Sequence, residues 1–215
     1  MAEVDDGDDV STPAGTVLPS RLHRECSDVS YAFSGAAGSV MLFAGRLDTD
    51  DTGTPALPMD IRFIDTLLAG ARASLQVSDV LSFKTRLGWN DVEHLMDNFG
   101  LREAPMPMAQ RQNFTTGNGT QLSVVAELSL PSSSLVFGVD ASAAEHTATI
   151  TNPNNAMFRI DNFVDVSRDV SSAFVEWRRD VTGGEFEAGL RIKRVDASAG
   201  PVSTSGIMGA MAEPI

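Results

Sequence analysis

Residues 173–195 read AFVEWRRDVTGGEFEAGLRIKRV, and the fold turns on how that stretch is read. It divides at Thr182-Gly183-Gly184, a turn signal between two runs rich in β-branched and aromatic residues. On the return run Phe186, Ala188, Leu190 and Ile192 occupy alternate positions, and Glu185, Glu187, Arg191 and Lys193 the positions between them. A period of two places successive side chains on opposite faces of a strand. The stretch therefore predicts a β-hairpin with one dry face and one wet face.

The same alternation extends in both directions. In Gln121–Leu130, the residues Leu122, Val124, Ala126, Leu128 and Leu130 share a face that Ser123, Glu127 and Ser129 do not. Pro131 and three serines interrupt the run, which resumes with Leu135, Phe137 and Val139. Further strands are expected at 29–33, 39–47, 59–67, 146–151 and 157–166, and residues 71–85 read as two strands or one bent by a bulge. One helix is expected over 90–100. Asn90 would be its N-cap, Glu93 the reciprocal capping residue and Gly100 its stop, with Val92, Leu95, Met96 and Phe99 at helical spacing. Residues 104–109, Ala-Pro-Met-Pro-Met-Ala, read as an extended connection. The expectation is an all-β chain: a single β-sandwich or jelly-roll barrel with one short helix and flexible termini. It divides into an acidic arm at 1–20, the sandwich domain at 21–199 and a C-terminal arm at 200–215.

Composition excludes several function classes. The 215 residues carry a net charge of −13, and the chain has 14 arginines against 2 lysines. That balance disfavours general nucleic-acid binding, which needs clustered cations on the phosphate backbone. Nineteen aspartates and scarce lysine are also what a surface hydrated in strong brine would carry. The first ten residues hold five carboxylates and no basic residue, unlike the start of a secretory signal. The uncharged run 29–45 is broken by Gly35, Gly38 and Gly45, so it reads as two strands around a turn and not as a membrane helix. No transmembrane segment is expected.

No catalytic, cofactor-binding or metal-binding residue is expected. His23, His94 and His146 lack ligand spacing, and Glu145-His146 only half imitates a cupin pair. Cys26 is a lone thiol beside Arg24, read as incidental. Asp48, Asp50 and Asp51 could share a hard cation but lack a distal bidentate glutamate. The sequons at Asn113 and Asn118 flank a segment, 115–119, expected to be flexible. Tyr31, Trp89 and Trp177 are too scattered for a sugar platform, and both tryptophans are assigned to core packing.

A β-rich body between small-residue arms, without a catalytic constellation, suits a block that tiles against its own copies. Over Val29–Val195 the strand pattern and acidic composition resemble single jelly-roll major capsid proteins of halophilic archaeal icosahedral viruses with an internal membrane. That resemblance implies a capsid subunit in the virion, assembling with its own copies and other virion proteins near a viral membrane, without touching nucleic acid. Alternatives are a tail-tube, decoration or spike protein of a tailed virus, or a cupin-like or carbohydrate-binding sandwich. The methionine-bearing segments, with Met106, Met108, Phe114, Ile207, Met208 and Met211, are expected to make the contacts between subunits.

Overall fold

A computed structural model describes residues 2–205. Its strands are β1 (Ala2–Gly7), β2 (Ser11–Thr12), β3 (Gly15–Thr16), β4 (Leu22–Gly35), β5 (Gly38–Thr52) and β6 (Asp60–Gln76). There follow β7 (Leu81–Asp97), β8 (Gln112–Leu130), β9 (Ser133–Asn152), β10 (Asn155–Val181), β11 (Gly184–Ser198) and β12 (Ser203–Ser205). The all-β class expected from the alternation is what the structure shows.

From β4 to β11 each strand pairs antiparallel with the next, so the sheet is an uninterrupted meander. β1 covers the first half of β4, from Leu22 to Ser27, and β12 pairs with residues 159–161 of β10. β2 and β3 form a small separate hairpin. The expected hairpin at 173–195 is present, with Trp177 opposite Ala188 and Val175 opposite Leu190.

Three expectations change. Among the described residues no second sheet packs on the meander, so the two layers of a sandwich or jelly roll are absent. Alternation reports that a strand has two unlike faces; it does not report what covers the dry one. Second, the expected helix is the loop-side half of β7, where Val92 pairs with Thr66 and Gly117, and Leu95 with Phe63 and Phe114. Neighbouring strands on both sides outweigh helical spacing, because propensity is a weak local term against two ladders of hydrogen bonds. Asp97, not Asn90, does the capping: its Oδ1 accepts the backbone N–H of Phe99 and of Gly100. Third, the arms are tied down where they are described. Residues 2–7 of the acidic arm are β1, and residues 203–205 are β12. Ile207, Met208 and Met211 lie outside the described residues.

Residues 71–85 are two strands, meeting at the connection 77–80, and residues 115–119 lie inside β8 with partners on both sides. The extended connection holds one 3-10 turn at Pro107–Ala109. Connections at one end of the sheet are short: residues 36–37, 77–80, 131–132 and 182–183. At the other end lie residues 53–59 and 98–111 and the two-residue turn 153–154.

Candidate functional site

The register sorts the side chains of the meander into two unlike faces. On one, the row from β4 to β7 reads Tyr31, Leu42, Ala71, Leu87, each opposite the next. It continues through Leu122 and Ala141. Nearer the short turns the same face carries Val124, Val139, Ala173 and Ile192 in register, and then Ala126, Phe137, Val175 and Leu190. Charges on this face lie toward its ends, at Arg46, Asp91, Asp169 and Arg194 on the loop side and at Arg179 beside the short turn. On β6 the apolar stretch spans Leu67 to Leu75, nine residues.

This apolar face is uncovered. Tyr31 is 71% exposed, Leu190 74% and Ile192 73%. Among the described residues the buried hydrophobic side chains are Ala126, Ala148 and Phe158. Accessible surface totals 14403 Å², whereas a compact monomer of 22.9 kDa would show about 9600 Å². Trp89 closes the apolar stretch of β7 at the loop side, the next residue on that face being Asp91. Trp177 sits by the short turn, its ring edge-on to Phe186 with centroids 5.6 Å apart. Neither tryptophan is core; both lie on the open face, which corrects their assignment to packing.

The opposite face is polar. Lys84 Nζ lies 3.5 Å from Glu127, Arg178 reaches Glu187 at 3.1 Å and Glu185 at 3.3 Å, and Arg191 reaches Asp140 at 3.1 Å. On the same face Arg72 and Arg86 stand directly opposite each other.

The loop end is closed by a buried ion pair. Asp60 is fully buried, and Arg102, 42 residues on, donates Nε to Oδ2 at 2.7 Å and Nη2 to Oδ1 at 2.6 Å. The Thr54 backbone N–H donates to the same carboxylate at 2.9 Å, and Arg102 Nη1 donates to the Leu57 carbonyl. These bonds tie the connection 53–59 to the connection 98–111. Burial pushes the Asp60 carboxyl up, but the hydrogen bonds from Arg102 and Thr54 outweigh it, so the net shift is downward. Nearby, the Arg111 guanidinium lies 3.9 Å from the centroid of the Phe158 ring and donates to the Met108 and Gln110 carbonyls. Asn152 donates to the Pro107 and Met108 carbonyls, which holds the turn bearing Met106 and Met108.

Asp48, Asp50 and Asp51 lie in β5 and not in a loop; Asp48 is held by Arg46 at 2.7 Å, and Asp51 by Arg62 at 3.2 Å and Arg21 at 3.7 Å, so two of the three acids face guanidinium groups. Among the described residues no group of three or more His, Cys, Asp or Glu converges as a metal would require. His23 lies between Asp6 and Glu25, His94 is lowered by burial, and His146 packs over Gly117. Cys26 is half-buried in β4. The Asp60–Arg102 pair was not singled out in the sequence, since no local motif joins residues 42 apart.

No family model matches the chain, and no curated protein matches it by sequence. Among solved structures it is similar to the copper transporter OprC, a β-barrel, with a TM-score of 0.78 and 24% identity. The similarity covers 94% of this chain and 37% of the OprC chain, so this chain spans little more than a third of that protein. At that identity the likeness concerns the fold. Among the described residues no helix is long and apolar enough to cross a membrane, which says nothing of strands.

Proposed function

We propose that the chain is a stretch of transmembrane β-barrel wall of the outer-membrane kind, and that it serves the passage of a solute across that membrane. The observation that carries this reading is the apolar face: continuous across eight strands, bounded by charge and exposed. In water such a face costs about 25 cal/mol for each Å² left wet; in hydrocarbon it costs nothing. Nine residues on β6 match the roughly nine to eleven that a tilted strand needs per crossing. Short turns at one end, longer connections at two of the three positions at the other, aromatic residues near both boundaries and a polar opposite face are the other features shared with such walls. Membrane passage as a class, not copper as the cargo, is what we take from the likeness to OprC.

A sheet in hydrocarbon cannot keep an open edge, because each unpaired backbone group there costs several kcal/mol. Residues 29–35 of β4 pair with β5 alone, and β11 pairs with β10 alone, among the described strands. Closure of the wall therefore uses strands beyond these.

The two tryptophans provide the test. With the full chain folded into vesicles, lipids brominated along the acyl chain should quench both Trp89 and Trp177, most strongly with bromines near the headgroups. Unquenched tryptophans in a water-soluble protein would overturn the membrane reading. Regular lipid-free particles would favour the self-tiling capsid subunit instead.

A further inference from the structure

On the polar face, Arg72 of β6 and Arg86 of β7 are direct cross-strand partners, and both are exposed. Like charges opposite each other destabilise a strand pair. Yet among the described residues neither guanidinium has a carboxylate within ion-pair distance, whereas Lys84, Arg178 and Arg191 on the same face each have one. Such repulsion persists in a fold only if something else offsets it.

The surroundings are shaped. Two residues along from the arginines, Gly70 and Gly88 face each other across the same strands. A Cβ on Gly70 would overlap the Phe43 ring, and one on Gly88 would come within 2.7 Å of Gln121 Nε2. The glycines thus let Phe43 and Gln121 lie down on the sheet from either side. The Arg72 guanidinium in turn sits 5.5 Å from the centroid of Phe43, which orients it. The resulting recess measures about 460 Å³, and its lining includes Phe43, Arg72, Arg86, Gln121, Ser123 and Asp140. Asp140, on the far wall, is already engaged by Arg191 at 3.1 Å and Ser172 at 3.2 Å. The Ser123 hydroxyl also donates to Asp140, so the end near the two arginines is left with positive charge, and Gln121 adds a neutral donor there.

We propose that Arg72 and Arg86 form a binding site for a small oxyanion, a phosphate or carboxylate group gripped between two guanidinium forks. Guanidinium groups present paired N–H donors that match these anions with bidentate geometry. An anion between them neutralises the repulsion that the bare pair sustains. In a barrel wall this site lies on the lumenal side, on the path of a solute.

The test is titration of the folded full chain with inorganic phosphate and, separately, with succinate, followed by calorimetry. Saturable binding of either, weakened tenfold or more in R72Q and again in R86Q, with K193Q on the same face unchanged, is the expected result; whichever anion binds names the group. Both arginines are exposed, so the variants should keep the wild-type circular dichroism. Absence of saturable binding with both anions, or equal binding in R72Q and R86Q, would overturn the site. That failure leaves the lipid assignment of the other face standing, because tryptophan quenching reads it separately.

Discussion

At the residue scale the Asp60 carboxylate does the most for its size. Removing one partner of a buried ion pair leaves the other charge without compensation, which costs about 3–5 kcal/mol. Arg102 keeps 25% of its side chain exposed, so the low end of that range applies. Asp60→Asn should therefore lower stability by about 3 kcal/mol at neutral pH, read as a drop in the urea midpoint at constant slope. Because the folded-state pKa of Asp60 is lowered, its contribution is complete above the unfolded-state value. It fades as pH falls through the lower folded-state value. Wild type and D60N should thus converge in acid. A gap between them that stayed constant down to pH 3 would show that the pair's charge is not the cause. His94 lies in the same region and is also lowered by burial. Its own contribution is lost as pH falls through the ordinary histidine range, so D60N should be compared with wild type at each pH and not across pH.

At the element scale, what decides the reading is which face a residue occupies. Val139 lies midway along the apolar stretch of β9 and is half exposed, while Ser142, three residues on, belongs to the polar face. In water, a charge replacing an exposed valine changes stability by about 0.5 kcal/mol at most. In the middle of a lipid band, arginine costs about 2–4 kcal/mol. Val139→Arg should therefore destabilise the vesicle-folded chain by that larger amount and Ser142→Arg hardly at all. Equal small effects at both sites would place the apolar face in water. The strands themselves were legible because alternation such as Phe186, Ala188, Leu190, Ile192 is a local pattern that survives any packing. The loop-side half of β7 was not. Asn90, Glu93 and Gly100 imitate helix caps, and only the ladders to β6 and β8, set by residues far away in the chain, decide against them. The fate of the dry face was equally hidden. Leu, Val, Phe and Ala face a protein core and a lipid tail with the same side chains, so the pattern that suggested a sandwich serves a membrane wall without change. The candidate anion site was invisible for another reason: Arg72 and Arg86 become neighbours only through the register of β6 on β7.

At the scale of the whole molecule the question is how the meander closes. Eight strands, β4 to β11, cross the apolar band, and eight can close into a barrel on their own. Such a barrel has an interior just wide enough to be filled by its own side chains. This polar face is furnished differently, with Arg72 and Arg86 unneutralised beside an open recess, which calls for water-filled room. The sheet also stays open, and over 94% of its length the chain follows the fold of the larger OprC chain. A wide wall, with β4 and β11 each meeting strands outside these eight, accounts for the three features together. In a C26S background, cysteines at Ala32 on β4 and Gly189 on β11, both on the polar face, offer a direct measurement, joined by a maleimide cross-linker of about 10 Å, roughly two strand spacings. With the chain alone in vesicles, the cross-link should join different copies and give dimers and higher species on denaturing gels, with almost none inside one copy. Efficient cross-linking within a monomer would show that the eight strands close on themselves, and would replace the wide wall with a small, side-chain-filled barrel.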